Sequence, residues 1–395
     1  MNSIGSVKDK QLLFLQGPMG TFFKKLDSNF RKRGATTYKI AFNKGDEFFS
    51  HKDNTIVFND TPDMWESFIV SFLQEKKIDK IFLFGDCRYY QHIARKVAYA
   101  QNIDVFVFEE GYLRPHYITL EKFGVNGYSQ LPRDASFYQQ LPLTTAPKVI
   151  HAKQSKTKMV LSASIYYAIS NLFHHQYPHY VHHREFSAMV ELFHGIRGIV
   201  RKGIYTLTEK KYLPLIEGEL SKQYFFVPLQ THNDFQILQH SNYRSIEKFI
   251  IEVLESFANH APKGTHLIFK HHPVDRGRKE YSDFIAEQAS LLNIEEYVLT
   301  VHDVHLPSCL KHARGTVTIN STVGLTSIGY GIPTITLGDA IYDIEGLSNK
   351  HQDLKAFWHT PKTPDMTLYK KFQQYLIQTT QLNGAFYGKM PKELQ

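Results

Sequence analysis

The chain has few cysteines, no long apolar run and no low-complexity segment, and each shortage removes a class of protein. Cys87 and Cys309 are the two cysteines among 395 residues. Two such distant thiols make no disulfide framework and suit a reducing cytoplasm. No apolar stretch approaches the length needed to span a bilayer. Segment 1–10 is polar, and the apolar 12–15 is too short for a secretory signal. No internal repeat stands out. Acids are outnumbered: 46 Lys and Arg against 38 Asp and Glu give a net charge of +8 before 21 histidines are counted. That excess suits an anionic partner, whether nucleic acid, a lipid headgroup surface or an acidic sugar nucleotide. The nucleic-acid reading rests on charge alone, without a recognition motif.

What is present is globular. Hydrophobic residues make up 42% and aromatics 14% of a chain long enough for two domains. Strand-like runs at 11–15, 38–42, 55–58, 80–84 and 104–108 alternate with helix-like runs at 62–76 and 89–100. Phe22, Phe23, Leu26 and Phe30 share one helical face. The rhythm predicts a parallel, doubly wound sheet. It breaks over 151–215 and resumes with strands at 224–229, 266–269, 297–301, 316–319 and 334–337. A helix over 364–382 ends it. The fold class expected is α/β and GT-B-like: two Rossmann-like domains facing a central cleft, a helical insert and a closing C-terminal helix. The expected division is 1–150, Rossmann-like and acceptor-side; 151–220, a His-, aromatic- and base-rich insert; 221–362, Rossmann-like and nucleotide-binding; and 363–395, a helix packing back on the first domain.

Chemistry concentrates where strands end, the edge at which open α/β sheets hold ligands. TINSTVG (318–324) opens a helix whose N–H groups and dipole favour a phosphate. FKHHP (269–273) places Lys270, His271 and His272 at a strand end, and alternation sends the two histidines to opposite faces. GDCR (85–88) offers Arg88 to an anion, or an Asp86–Arg88 pair that fixes the turn. In EEGYLRP (109–115) two adjacent acids, Glu109 and Glu110, cannot both ionise comfortably in a dry cleft, so one can act as acid or base. Arg114 neutralises them or holds an anion. QGPMG (16–20) is weaker, its glycines being ordinary turn punctuation. Asp234 in LQTHNDFQ is a nucleophile, a base or a helix N-cap, and local sequence favours the cap. HHQYPHYVHH (174–183) invites a metal reading through His175 and His179, but Pro178 disfavours the helix their spacing needs. Rings interleaved with basic clusters at Arg201-Lys202 and Lys210-Lys211 suit a peripheral membrane surface, with a solvated helical hairpin as the alternative.

LLFLQGPMG, FGDCR, FEEGYLRP, NGYSQLPRD, FKHHPVDRG, TINSTVG and GDAIYDIEGL occur in order along nearly the whole chain. Together they resemble the capsule polysaccharide biosynthesis family of β-Kdo glycosyltransferases, in its single-module KpsS type. The resemblance implies a cytoplasmic enzyme peripherally associated with the inner membrane of a Gram-negative bacterium. It implies transfer of the first Kdo from CMP-β-Kdo to lysophosphatidylglycerol or phosphatidylglycerol, with retention. A KpsC-type transferase and a capsule ABC exporter are the implied partners, with no nucleic acid among them. The Q-x-x-x-D spacing of Gln230 and Asp234 resembles the segment that carries an Asp nucleophile in related transferases. Asp234 is thereby the candidate nucleophile and Glu110 the candidate acid/base, with Glu109 as the alternative. Lys270, His271, His272, Asn320, Ser321, Thr322 and Gly324 would hold the nucleotide. Arg88, Arg114, Asp86, Gln16, Gly17 and Gln230 would hold the sugar or acceptor. No cofactor or metal is expected, since departing CMP needs only cationic side chains and no DxD-type pair flanks the nucleotide motifs. The rival readings are a transferase of the same fold using another nucleotide sugar and a non-catalytic capsule-assembly scaffold.

Overall fold

A computed structural model describes residues 4–144, 149–181 and 188–395. The chain forms two compact units: 1–130 with 144–188 and 374–395, and 131–143 with 189–373.

The first unit is built on a seven-stranded sheet. Its strands are β1 (Gln11–Phe14), β2 (Thr36–Ala41), β3 (Thr55–Val57), β4 (Lys80–Phe84), β5 (Asp104–Glu110), β6 (Tyr117–Lys122) and β12 (Gln381–Asn383). The order is β12-β6-β5-β4-β1-β2-β3. β1 to β5 run parallel; at one edge β6 pairs antiparallel with β5, and β12 pairs antiparallel with β6. The five parallel strands follow the Rossmann order, with the reversal between β1 and β4. Alternation explains the layers. Leu13, Ile81, Leu83, Val105 and Val107 bury against one set of helices, and Leu12, Phe14, Phe82, Phe106 and Phe108 against the other. Strands apolar on both faces are those of a parallel sheet covered on both sides.

The second unit repeats the plan with β7 (Tyr224–Pro228), β8 (His266–Lys270), β9 (Val298–Val301), β10 (Gly315–Thr318) and β11 (Thr334–Thr336). All pairs are parallel in the order β11-β10-β7-β8-β9, with the reversal between β7 and β10. Phe225, Val227, Leu267 and Phe269 face one core, and Tyr224, Phe226 and Ile268 the other. These are the two Rossmann-like units expected of a GT-B-like chain.

Two expectations need correction. The terminal helix runs Met366–Thr379, not to 382, and the chain then forms β12 beside β6. Residues 151–220 make no body of their own but divide between the units near 188. The helix Lys156–Leu172 and the loop after it belong to the first unit. There Tyr166 donates to Asp46 at 3.0 Å, and Gln16 donates to Tyr180 at 3.0 Å. The helix Ala188–Thr208 lies mostly in the second unit, where Tyr205 donates to Glu280 at 2.9 Å.

Candidate functional site

In the first unit the ends of β4 and β5 bring GDCR and EEGYLRP together. Gly85 takes φ +68°, the left-handed region open to glycine, as the chain leaves β4. The half-buried Arg88 follows at the cap of the helix Tyr89–Ala100, its guanidinium over the Phe84 ring. Glu109 and Glu110 close β5. Burial pushes Glu109 up to about 7, opposed by the Glu110 N–H it accepts at 2.9 Å and by the charge of Arg88. Burial also raises Glu110, against Arg114 and the Gln154 amide, which donates to its two oxygens at 2.9 and 3.2 Å. A carboxyl titrating near neutrality can both give and take a proton. Arg114 is exposed and donates to the Gly111 carbonyl at 3.2 Å. The loop is held from β12: Gln381 accepts from the Tyr112 and Leu113 N–H groups at 2.9 and 3.3 Å.

Three neighbours expected to touch substrate have structural tasks. Asp86 is fully buried and accepts the Val125 N–H at 2.9 Å, locking the turn after β6. Gln16 is buried, donating to Asp46 and Tyr180, both at 3.0 Å. Gly17 is small because of Phe23, whose ring would lie 2.6 Å from an added Cβ.

In the second unit the constellation forms at the reversal. Gln230, beyond β7, donates to Asp234 Oδ2 at 3.1 Å and to Asn320 Oδ1, beyond β10, at 3.0 Å. Asp234 Oδ1 accepts the Gln236 N–H at 3.0 Å, making it the N-cap of the helix Phe235–His240. As a cap Asp234 stays half-buried, oriented by the Gln230 amide, at the carboxyl edge of the sheet. Ser321 caps the helix Thr322–Gly329 by accepting the Val323 N–H at 3.2 Å, and its carbonyl takes the Gly324 N–H at 2.9 Å. Two of the N–H groups expected to cradle a phosphate are therefore taken within the cap. Gly324 is a glycine because the Tyr342 hydroxyl would lie 2.2 Å from a Cβ there.

FKHHP separates as alternation requires. His272 is half-buried, accepting the Val274 N–H at 3.3 Å on Nδ1. His271 is buried and paired with Glu280 at 3.0 Å. Lys270 is buried too, and its ammonium donates to the His302 carbonyl; burial lowers its pKa. It braces the end of β8 against the residue after β9. His302 stacks on His271 with centroids 4.5 Å apart, and its Nδ1 and Nε2 lie 2.7 Å from Glu209 and 3.1 Å from Glu280. Burial opposes charge on His302, yet the two carboxylates raise its pKa. Burial likewise opposes ionisation of Glu280, and the bonds from His271 and His302 hold it well below the usual carboxylate range. Among the described residues, His271, Glu280 and His302 form a group with metal-ligating atoms within 4.8 Å of one another. Glu280 Oε1 there also accepts from the Tyr281 and Ser282 N–H groups, both at 3.1 Å, and from Ser282 Oγ at 2.8 Å. This carboxylate is already saturated by donors. Of the 174–183 run, 174–176 form a 3-10 turn, while His182 and His183 lie outside the described residues.

Sequence reasoning missed one pair at this edge. Asp275, fully buried, accepts from His232 Nδ1 at 2.7 Å and from the His232 N–H at 2.8 Å. The two lie 43 positions apart, and only the adjacency of β7 and β8 joins them. It also left Arg133 unassigned: the guanidinium lies 3.3 Å from Asp339 and donates to the Ala340 carbonyl, linking the NGYSQLPRD and GDAIYDIEGL motifs.

The chain matches the family of capsule polysaccharide biosynthesis proteins over residues 79–387. It is 39% identical to the capsule polysaccharide export protein KpsS of Escherichia coli over 378 residues, 96% of this chain and 97% of that one. To the capsule polysaccharide modification protein LipB of Neisseria meningitidis serogroup A it is 38% identical over 395 residues, covering 96% and 92%. The solved β-Kdo 2,7 transferase KpsC of Thermosulfurimonas dismutans overlays with a TM-score of 0.44 at 13% identity, covering 92% of this chain and 89% of that one. The match to the family over most of the chain, with relatives near 40% identity from end to end, leaves one conclusion: this chain belongs to the capsule polysaccharide biosynthesis protein family.

Proposed function

We propose that the chain is a retaining β-Kdo glycosyltransferase. It moves one Kdo from CMP-β-Kdo to a lysophosphatidylglycerol or phosphatidylglycerol acceptor, starting the poly-Kdo linker of a capsular polysaccharide. The observation that carries the reading is Asp234, a half-buried carboxylate at the reversal of a Rossmann sheet, steered by Gln230. Retention by double displacement needs such a group. Asp234 attacks the anomeric carbon of Kdo, the bond to the CMP phosphate breaks, and CMP leaves with the electron pair. Glu110, or Glu109 in its place, takes the proton from the acceptor hydroxyl, whose oxygen then displaces Asp234.

His272, Asn320, Ser321 and Thr322 serve the CMP phosphate on this reading. Arg88 and Arg114 serve the Kdo carboxylate or the acceptor phosphate, for which a guanidinium fork is suited. Unchanged turnover in EDTA is expected, and its loss would overturn the metal-free mechanism. The enzyme works at the inner-membrane surface, handing its product to a KpsC-type transferase that serves a capsule ABC exporter.

The test is mass spectrometry of lysophosphatidylglycerol incubated with the purified protein and fresh CMP-Kdo. A product heavier by one Kdo supports donor, acceptor and single addition together. No product with CMP still bound, read by thermal shift, keeps the nucleotide site and rejects this acceptor. No product and no CMP binding rejects the assignment.

A further inference from the structure

The helix Ala188–Thr208 has an inner and an outer face of opposite character. His194, Gly198, Arg201 and Tyr205 recur at four, three and four residues and so share a face. That face is seated on the segment after β8. Arg201 donates to the Arg276 carbonyl at 3.0 Å, and Tyr205 donates to Glu280 at 2.9 Å. A Cβ on Gly277 would lie 2.1 Å from the His194 carbonyl oxygen, so the glycine sets the closeness of approach. Just past the helix, Glu209 accepts the His302 and Asp303 N–H groups, at 2.9 and 2.8 Å.

The opposite face belongs in a core but lies in the open. Phe193, Ile196, Ile199, Val200, Ile204 and Leu207 are each at least half exposed, Ile199 by 75%. They form one aliphatic and aromatic stripe about 21 Å long at 1.5 Å per residue. Scattered exposed apolar residues need no explanation; a contiguous stripe on one helix does. Exposed Lys202, Lys210 and Lys211 flank it, while the acid that follows, Glu209, is buried.

We infer that this helix is a monotopic docking element whose outer stripe lies in the headgroup–acyl boundary of an anionic bilayer. The pattern is that of an interfacial helix: apolar on one side, with bases at the edge to meet lipid phosphates. A protein partner would be expected to find aromatic and hydrogen-bonding anchors, and the stripe is nearly all aliphatic. Among the described residues no helix is long and apolar enough to cross a membrane, so the element lies on the surface. Its inner face grips Glu280, the partner of His271 at the end of β8, so docking brings the strand ends of this unit to the lipid. The inference deepens the proposed function and rests on it for the acceptor's being a lipid.

The test compares the full-length protein with the combined variant Ile196→Gln, Ile199→Gln and Val200→Gln, whose new side chains keep helix propensity. Both are sedimented with phosphatidylcholine vesicles with and without about 30% phosphatidylglycerol. The expected result is binding of the wild type to anionic vesicles, weakened by salt, and at least about a tenfold loss in the variant with an unchanged melting temperature. Equal binding by both proteins, or none by either, overturns the inference. So does a variant that turns a dimer into a monomer while still binding vesicles, since the stripe then covers a second copy. Transfer to a short-chain, water-soluble acceptor keeps the two readings apart. The variant retains it if both hold; a wild type that binds vesicles through the stripe but transfers nothing rejects the proposed function alone.

Discussion

Gln230 and Asn320 are bonded to each other twice: the Gln230 amide donates to Asn320 Oδ1 at 3.0 Å, and Gln230 Oε1 accepts the Asn320 N–H at 3.2 Å. The pair ties the end of β7 to the end of β10 where the strand order reverses. The second Gln230 N–H points at Asp234, so one amide sets both the strand junction and the carboxylate. Gln230→Leu keeps the volume but strands both partners. It should lower stability by about 1–3 kcal/mol and lower kcat more than KM rises. Urea unfolding beside steady-state kinetics reads both, and an unchanged kcat would remove Gln230 from the site.

Asp234 is a helix cap as well as the proposed nucleophile, and two substitutions separate the roles. Asp234→Asn keeps a capping oxygen and should hold stability near that of the wild type while abolishing transfer. Asp234→Ala should also abolish transfer and destabilise by about 0.5–2 kcal/mol. CMP affinity should stay nearly unchanged in both. Wild-type turnover in Asp234→Asn would leave the residue as a cap alone.

The adjacent histidines should respond to different assays. His272→Ala should weaken donor binding by about 1.5–3 kcal/mol, the range for a lost charge-assisted bond, with little loss of stability. His271→Ala removes a buried ring and one of several donors to Glu280 and should cost about 1–3 kcal/mol of stability. Calorimetric CMP titration and thermal unfolding of both variants check the contrast. Similar profiles would mean that the two faces are not distinct.

Glu109 gives a pH-dependent prediction. Its carboxyl titrates near 7 in the folded chain against an ordinary value of 4.5, because of burial. A raised carboxyl keeps its proton in the folded state, so stability falls as pH climbs through this window and the full penalty stands above pH 7. Glu109→Gln escapes the penalty. It should be more stable than the wild type above pH 7 by about 1–3 kcal/mol, with the gap closing toward pH 4.5. A constant gap across that range would show that Glu109 is not perturbed. Comparing transfer by Glu109→Gln and Glu110→Gln then tells which carboxyl is the acid/base.

All ten expected strands are present because their signal is local: β-branched and aromatic runs stopping at glycine, proline or polar clusters. β6 and β12 were missed. β6 follows β5 after a short loop and pairs with it antiparallel, and β12 is three residues long and takes its place only through β6. The strand-end motifs were legible as polar clusters at the carboxyl ends of strands. Their members were not separable, since Asp234 and Asp86 read alike in sequence and differ in burial. His232 with Asp275, and Glu209 with His302, could not be paired in advance, because nothing along the chain links residues 43 and 93 positions apart.

Short-range patterns and ordered motifs carried the α/β class, the two-unit plan, the polar strand ends and the family. Tertiary structure decided which side chains of each motif face solvent and which are locked inside. It sent His271 and Lys270 inward, and it left the stripe from Phe193 to Leu207 outward. The physical reason is that alternation assigns a residue to a face, but only the packing of the next element makes that face core or surface.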